Sequence, residues 1–468
     1  MDDSLYFTET HYAVREMVRS FARESVAPVA AQHDADSTFP WENIKAMGEL
    51  GLLGVPWPEE IGGAGFDTLS FMIAIEELGR VDASHALTIS AHTTLGTSPI
   101  VNFGTPDQIA RYVRPLASGR VLGGFGLTED TAGSDAGGTK TTAVRQGDHY
   151  VLNGKWQWGS GSANCHWLSG GAVVMENGAP RRLPSGAPET RSMFFPASSV
   201  KLIDSWDTAG LCGTGSGEFE ATGLRVPKAH TIALATDPPV AQGALYTFPV
   251  FGLLALGIAA VMLGNARAAV DDLVQLASVR KPQGSARILA ERATAQAALA
   301  EATAQLRAAR AYYYDSVSRA WDKATATGAV ALDERVDLRL AATHAVRVCA
   351  SVTRSMCDLG GGASIFLASP LQRRFRDAFV GAQHMMIAPQ TYELTGRALM
   401  GLPTTRPSSN RGRSFRLQSL ARLLVLRSSA LRSRQILKGQ RDPAPVELPE
   451  NWVLTLPPIL MHESVEGT

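Results

Sequence analysis

Cysteine is scarce in this sequence, with only four residues of that type among 468, at positions 165, 212, 349 and 357. No two of them form a CxxC pair, which argues against a zinc site or a disulfide framework. We therefore expect no metal site and a reducing compartment, the cytoplasm. The first ten residues, MDDSLYFTET, are acidic and lack the charged-then-apolar pattern of a secretory signal.

An excess of either charge is also missing, because 44 Lys and Arg residues balance 44 Asp and Glu residues. A neutral chain gives no electrostatic reason to expect nucleic acid or an anionic membrane as a partner. Long apolar runs are missing as well. The most apolar stretch, residues 248–263, is short for a membrane span and contains Pro249 and two glycines. We predict a helix buried in a bundle there.

Helical periodicity dominates residues 1–122, where apolar side chains recur every three or four positions. The first helix is predicted over residues 8–27, with Pro28 ending it. Further helices are predicted over residues 41–50, 68–78, 84–95 and 105–116. Together these segments predict an N-terminal helical domain.

The pattern changes at about residue 123, and from there to residue 237 apolar and polar residues alternate between frequent turns. We predict a central β domain, either a small barrel or a sandwich. The fold class is thus α+β, because long alanine-rich segments follow and predict a C-terminal antiparallel helical bundle over residues 238–402. The predicted bundle helices span residues 246–277, 286–320, 332–359 and 376–399.

The remaining residues, 403–468, first carry many arginines without an acid and then many prolines with most of the acids. We expect a poorly ordered extension there. The alternative is a basic amphipathic arm that binds a partner or an acidic surface.

Residues 123–162 hold the most informative pattern. An extended run from Phe125 to Thr128 leads into a glycine-rich loop at 132–135, and Trp158 and Ser160 follow an Asn153-Gly154 pair that is typical of a hairpin turn. A flat heteroaromatic ligand needs an aromatic face to stack on and hydroxyl or backbone partners at its edge. This stretch offers both, although an ordinary buried tryptophan beside a turn would give the same pattern.

Several separated motifs resemble the acyl-CoA dehydrogenase superfamily over about residues 5–402. They are Phe125-Gly126-Leu127-Thr128-Glu129, Ala132-Gly133-Ser134-Asp135, Trp158-Gly159-Ser160, Arg280 with Gly284, Asp358-Leu359-Gly360-Gly361-Gly362, and Arg373 with Arg376-Asp377. The resemblance implies a homotetramer that binds one flavin per subunit, FAD or alternatively FMN. It also implies an acyl-CoA substrate and an electron-transfer flavoprotein as partner.

The same resemblance assigns roles to individual residues. The implied flavin-binding residues are Phe125, Leu127, Thr128, Gly133, Ser134, Trp158, Ser160, Arg280, Asp358, Gly361 and Gly362. In this set Asp358 stands where the family has glutamine, and Arg280 is the residue expected to reach a flavin phosphate across a subunit interface. The candidate substrate-binding residues are Ser134, His92 and Arg376. For His92, a structural role within its helix is the alternative.

From Trp156 onward the chain is similar to the flavin-dependent hydroxylase branch of that superfamily. The residues that carry this similarity are Trp158 to Ser162, Trp206 with Leu211 to Ser216, Ser369 to Arg373, and Gln383-His384. Cys212 stands where that branch has arginine, and Gly217-Glu218 stand where it has His-Asp. Such enzymes use reduced flavin supplied by a separate flavin reductase.

The carboxylate that removes the α-proton in an acyl-CoA dehydrogenase is missing from both of its usual places. In the first place, the family's spacing counted from Asp377 leads to Met385. In the second place, an early helix of the bundle, no acid occurs between Asp237 and Asp271. His384 is the natural replacement, since imidazole serves as a base or a donor near neutral pH. We assign His384 and Ser160 as the candidate catalytic residues.

Three hypotheses follow for the function. A slight preference goes to a reduced-flavin monooxygenase, because His384 is present and the glutamate is absent. The first alternative is an acyl-CoA dehydrogenase with a displaced base such as Glu393. The second is a non-catalytic flavin-binding oligomer.

Overall fold

The computed structural model describes residues 5–126, 128–129, 140–234 and 236–404. The proposed ligands Leu127, Gly133 and Ser134 lie outside these ranges, as does the tail beyond residue 404. Within them the fold is helical, then stranded, then helical, which confirms the predicted class.

The N-terminal region is built from helices, several of which run directly into one another, and a longer loop over residues 50–67 joins the third helix to the fourth. The prediction that Pro28 ends the first helix was wrong. The helix passes through a π-helical turn at Ala22–Val26 and continues into the next helix. Pro28 lies in the first turn of that helix, where a proline is tolerated because its absent N–H removes no α-helical hydrogen bond. The helices are α1 (Glu9–Phe21), α2 (Ala27–Asp36), α3 (Trp41–Glu49), α4 (Thr68–Val81), α5 (Ala83–Ala91), α6 (Ser98–Phe103), α7 (Pro106–Gln108) and α8 (Arg114–Ala117).

The central strands form one sheet, whose hydrogen-bonded path in the described residues runs β7-β8-β3-β2-β4-β6-β9, with β1 and β5 paired to β4. The path is open. The strand region has a hydrophobic core of its own, which includes Tyr150, Trp156, Val174, Phe195 and Phe219. The strands are β1 (Gly123–Gly126), β2 (Thr142–Gln146), β3 (His149–Trp156), β4 (Trp167–Glu176), β5 (Ala179–Pro180), β6 (Thr190–Pro196), β7 (Lys201–Ile203), β8 (Glu218–Pro227) and β9 (Thr231–Ile232).

The hairpin turn predicted at Asn153-Gly154 was placed wrongly. Both residues lie inside β3, where the register with β8 shifts between Leu152 and Gly154. The turn between β2 and β3 is at Gly147, which has φ of +59°. Gly154 is needed for a different reason, because a Cβ there would lie 2.3 Å from Thr141 Oγ1.

The C-terminal bundle contains α9 (Val250–Val279), α10 (Ala293–Thr327), α11 (Leu332–Gly360), α12 (Pro370–Gly381) and α13 (Gln390–Leu399). By length and composition α9 could cross a membrane, but its most apolar window is 94% buried within the protein. This confirms a helix buried in a bundle. Its glycines allow close packing, since a Cβ at Gly264 would lie 2.1 Å from the carbonyl oxygen of Glu76 in α4.

The single helix predicted over residues 376–399 was wrong, because it is interrupted. α12 ends at Gly381, and a 3₁₀ turn at Met385–Ile387 follows before α13 begins. Pro389 disfavours helical backbone at Ala388, which is extended (φ −67°, ψ 157°). The interruption places His384 at the N-cap of the short turn, in the loop between α12 and α13.

Candidate functional site

The two ends of the 123–162 stretch lie side by side, although no hairpin joins them. Gln157 N donates to the carbonyl oxygen of Thr128 at 2.8 Å, and the two residues form an isolated antiparallel bridge. Phe125 lies in β1, which pairs with β4. The backbone that follows β1 is thus fixed beside the backbone that leaves β3, as a wall for one ligand would require.

Trp158 is the exposed side chain of this wall. Its indole is 63% exposed, and its backbone has φ of 56°, in the left-handed region that bulky residues seldom occupy. The neighbouring amide of Gly159 is held by the carbonyl oxygen of Gly217 at 3.1 Å. A tryptophan that is held in a strained backbone with its ring uncovered fits a surface for stacking a flat heteroaromatic.

Two serine hydroxyl groups follow Trp158 closely in the chain. Ser160 is half-buried, and its Oγ accepts a hydrogen bond from Ser216 Oγ at 3.3 Å. Ser162 is buried, and its Oγ has no hydrogen-bond partner among the described residues. An unpaired buried hydroxyl costs about 1–3 kcal/mol unless a ligand or water satisfies it. The aromatic face and the adjacent hydroxyls together fit the expected flavin.

His384 has one bonded and one available ring nitrogen. Its Nδ1 accepts the backbone N–H of Met386 at 3.2 Å, and among the described residues Nε2 makes no hydrogen bond. Burial, with a contribution from the Arg339 charge, lowers the pKa of His384 to about 4. The ring is therefore neutral near pH 7. Because Nδ1 accepts, the proton is assigned to Nε2, so His384 presents an N–H donor.

The loop that carries His384 is fastened from α11. Arg347 Nη2 donates to the carbonyl oxygen of Ala382 at 2.7 Å and lies 3.4 Å from that of Ile387. Thr343, one turn earlier, bonds to Thr391 Oγ1 at 2.7 Å. These contacts fix the position of His384 relative to the bundle.

The structure gives His92 a different role from the substrate contact considered above. The side chain is 3% exposed and lies in the π-helical turn His92–Thr97. Nε2 lies 3.0 Å from the carbonyl oxygen of Leu116, and Nδ1 accepts the N–H of Gly123 at 3.3 Å. Both ring nitrogens are occupied by backbone groups, so His92 joins the helical region to β1 and leaves no nitrogen for a substrate.

Arg376 is likewise engaged within the protein. Its guanidinium forms a bidentate ion pair with Asp34 of α2 and donates to the carbonyl oxygen of Ala209 at 2.7 Å and to Gln372 Oε1 at 2.6 Å. These contacts join α12 to α2 and to the loop after β7. They give Arg376 a structural role, and its contact with the substrate stays a prediction.

The other implied flavin ligands gather at one end of the bundle. Arg280 directly follows α9, and Asp358 is in the last turn of α11. The two helix ends are adjacent, since a Cβ at Gly360 would lie 3.3 Å from Leu276 Cδ2. The Asp358 side chain is 70% exposed and lies 3.6 Å from Arg354 Nε. Gly361 and Gly362 adjoin open space, so this end could accommodate an extended ligand.

Asp377 is the functional candidate that the sequence did not single out, although it belongs to the Arg-Asp pair. It is buried, and its Oδ1 accepts the backbone N–H of Leu211 at 2.7 Å. Burial, reinforced by the negative charges of Asp82 and Asp34, raises the pKa of Asp377 to about 7. The Arg376-Asp377 pair is the sequence signal that could have identified this residue. Only the fold shows that Asp377 contacts the loop behind Ser160.

Both helical regions of the chain are similar to a known protein family. Residues 8–120 match the family described as acyl-CoA dehydrogenase, N-terminal domain, and residues 256–389 match acyl-CoA dehydrogenase, C-terminal domain. The short-chain specific acyl-CoA dehydrogenase of Clostridium acetobutylicum is 32% identical over 79% of this chain and 93% of its own length. A probable acyl-CoA dehydrogenase of Bacillus subtilis is 38% identical over 59% of this chain and 70% of its own length.

Among solved structures, butyryl-CoA dehydrogenase from Megasphaera elsdenii aligns with a TM-score of 0.73 at 25% identity. The alignment covers 84% of this chain and 99% of that one. The three regions of the fold therefore occur together in another protein.

Proposed function

Because this chain belongs to the acyl-CoA dehydrogenase family and is a flavin-dependent oxidoreductase that uses FAD, we propose that it oxidises an acyl-CoA at the α,β bond. In that reaction a water molecule would take the α-proton, and FAD held at Trp158 and Ser160 would accept the β-hydride, which leaves an enoyl-CoA. The observation that supports the proposal is the wall of residues 157–162, where the exposed Trp158 is followed by the half-buried Ser160 and by Ser162, whose buried Oγ has no partner among the described residues. A short acyl chain is the first substrate to test, given the names of the relatives.

Met385 occupies the place of the usual carboxylate, and in this proposal the neighbouring His384 acts as a hydrogen-bond donor. Its Nε2–H donates to the thioester carbonyl oxygen, which stabilises the negative charge that develops there as the α-proton leaves. To accept that proton itself, Nε2 would have to lose its hydrogen, and Nδ1 would then have to release the Met386 N–H. The proposed primary role is therefore that of a donor.

Glu393 is a poor substitute for the missing base. It lies exposed in the first turn of α13. A catalytic carboxylate of this kind needs burial to raise its pKa toward neutrality, and an exposed position does not supply burial. The titratable group in the loop between α12 and α13 remains His384.

Reduced-flavin oxygenation is the second candidate, because the loop at residues 382–389 contains a neutral histidine and no acid. A site that presents donors suits an oxygen-handling reaction as well as an enolate. The family relatives named above favour dehydrogenation over this candidate.

Anaerobic mixing of the FAD-loaded protein with butyryl-CoA distinguishes the two. Dehydrogenation predicts bleaching of the visible flavin band and formation of crotonyl-CoA. Oxygenation predicts no bleaching, but incorporation of one ¹⁸O atom into product when ¹⁸O₂, NADH and a flavin reductase are supplied. Failure of both tests across acyl-CoA chain lengths would leave the non-catalytic flavin-binding oligomer, and a protein that binds no FAD would contradict the assignment of Trp158 and Ser160.

The remaining properties of the proposed enzyme follow from the family. We propose a homotetramer, in which Arg280 of one subunit approaches the flavin of another, with an electron-transfer flavoprotein as the electron acceptor. Equilibrium sedimentation of the purified protein tests the tetramer. The cytoplasm is the proposed location, consistent with four free cysteines.

A further inference from the structure

A row of hydroxyl groups leads from the interior of the strand region to Ser160. Thr214 Oγ1 and Ser216 Oγ lie 2.8 Å apart, and Ser216 Oγ donates to Ser160 Oγ at 3.3 Å. Thr214 and Ser216 are buried, whereas Ser160 is half-buried beside the exposed Trp158. The row thus begins in the protein interior and ends at the proposed ligand surface.

Counting protons gives this row a direction, because each hydroxyl has only one. Ser216 donates its proton to Ser160. Thr214 Oγ1 donates to the carbonyl oxygen of Leu211 at 2.9 Å and shares the same proton with Ser216 Oγ at 2.8 Å. The proton of Ser160 is then left for a group outside the row.

The row is anchored to α12 through Leu211. Leu211 has φ of 55°, a left-handed conformation that costs a leucine about 1–2 kcal/mol. Its N–H donates to Asp377 Oδ1 at 2.7 Å, and its carbonyl oxygen accepts the N–H of Thr214 at 3.1 Å. The amide of Gly161, next to Ser160, donates to the carbonyl oxygen of Thr214 at 2.9 Å. A buried carboxyl on one region therefore holds the turn that supports the wall on another.

We propose that Thr214, Ser216 and Asp377 are positioning residues, which hold the Ser160 hydroxyl as a hydrogen-bond donor toward the ligand bound at Trp158. This rests on the proposed function, in which that ligand is FAD. A second consequence is that α12 is connected to both candidate catalytic residues, since its Asp377 supports the turn behind Ser160 and its C-terminal end leads into the loop of His384.

The test uses the full-length protein with FAD and the variants Thr214→Val and Ser216→Ala. Each removes one hydroxyl from the row and leaves Ser160 in place. We expect FAD to bind about three- to tenfold more weakly, the usual effect of one lost hydrogen bond. The midpoint potential should become more negative by about 15–30 mV, if the lost bond favours the reduced flavin by that factor. A merely structural hydroxyl would not move the potential.

Asp377 is tested with a conservative pair. Asp377→Ala removes the acceptor of the Leu211 N–H, whereas Asp377→Asn retains an oxygen that can accept it. We expect the alanine variant to shift the potential in the same direction as Ser216→Ala, and the asparagine variant to restore the wild-type value. Hydrogen exchange at the Leu211 amide, measured without FAD, should be faster in the alanine variant only. If that variant does not fold, Thr214→Val and Ser216→Ala still decide.

Ser199→Ala is the matched control, because it removes an exposed serine hydroxyl of the strand region that bonds to the carbonyl oxygen of Pro196. It should leave FAD binding and potential unchanged. Wild-type affinity and potential in both Thr214→Val and Ser216→Ala would overturn the inference while leaving the proposed function intact. Absence of FAD binding by the wild-type protein would instead contradict the proposed function.

Discussion

His92 and His384 lie in different regions of the molecule and share one property, since burial lowers the pKa of each to about 4. Both interrupt regular α-helix, His92 in a π-helical turn and His384 at the cap of a 3₁₀ turn. They differ in their hydrogen bonds. Backbone groups occupy both nitrogens of His92, whereas His384 uses Nδ1 alone.

A lowered pKa shows only that a histidine is removed from water. A ring nitrogen without a hydrogen-bond partner is what identifies a functional candidate. The buried imidazole of His92 supplies hydrogen bonds to two backbone groups, the carbonyl oxygen of Leu116 and the N–H of Gly123. The half-buried imidazole of His384, whose Nε2 makes no hydrogen bond among the described residues, has no such structural purpose. The two histidines can therefore be separated by variants that remove the ring and by conditions that change its charge.

The largest expected effect is on turnover at His384. His384→Ala should lower kcat by about 10²–10³, the usual effect of losing one donor to a developing negative charge, with little change in the free energy of unfolding. His384→Gln retains an N–H near the position of Nε2 and should recover much of the rate. Steady-state kinetics with butyryl-CoA measures both. A glutamine variant as inactive as the alanine variant would show that His384 acts as a base.

The converse effect is expected at His92. His92→Ala removes the acceptor of the Gly123 N–H, leaves the Leu116 carbonyl oxygen with the Gly119 N–H as its donor, and opens a cavity, which should cost about 2–5 kcal/mol of unfolding free energy. The folded fraction should keep a kcat within about twofold of the wild type, since the ring does not reach the site. Urea unfolding and active-site titration measure the two quantities. A stable variant with abolished turnover would reverse the roles assigned to the histidines.

The order of regions and the candidate flavin wall could be predicted from the sequence, because periodicity and the spacing of Trp158 and Ser160 are local features. The bulge at Gly154 could not, since an Asn-Gly pair suits a type I′ turn and a strand irregularity alike, and only the close approach of Thr141 decides between them. Pro28 was misread because proline both ends and begins helices.

The bonding of individual side chains was beyond the sequence for a different reason. His92, Arg376 and Asp377 make their decisive contacts with residues 24, 342 and 166 positions away in the chain. No pattern within a helix shows that a distant carbonyl group or backbone amide will occupy a ring or a carboxyl. Hence the sequence could name candidate residues for the site but could not separate possible ligands from structural anchors.

The lowered pKa of His92 should make the free energy of unfolding depend on pH. Its pKa is lowered, so between about pH 6.5 and pH 4 the unfolded chain binds more protons than the folded one, and stability is lost as pH falls. The loss amounts to at most about 3 kcal/mol. Asp377, which faces Asp34, Asp82 and Arg373, has a raised pKa and gives the opposite slope up to about pH 7. Comparison of wild type with His92→Asn isolates the histidine, whose variant should lose less stability on acidification.

The smallest expected effect is on the pH profile of turnover. A histidine with an ordinary pKa would give an acidic limb of kcat/KM near pH 6.5. For His384 the limb should lie near pH 4, where protonation of Nδ1 would displace the Met386 N–H that positions the ring, because burial and the Arg339 charge lower the pKa. Arg339→Gln removes that charge, so the limb should move to higher pH by a fraction of a unit, whereas Arg307→Gln on α10 serves as a control for loss of a cation. A limb near pH 6.5 in the wild type would mean that the imidazole is solvated as an exposed one is, and the functional distinction between the two histidines would then rest on hydrogen bonds alone.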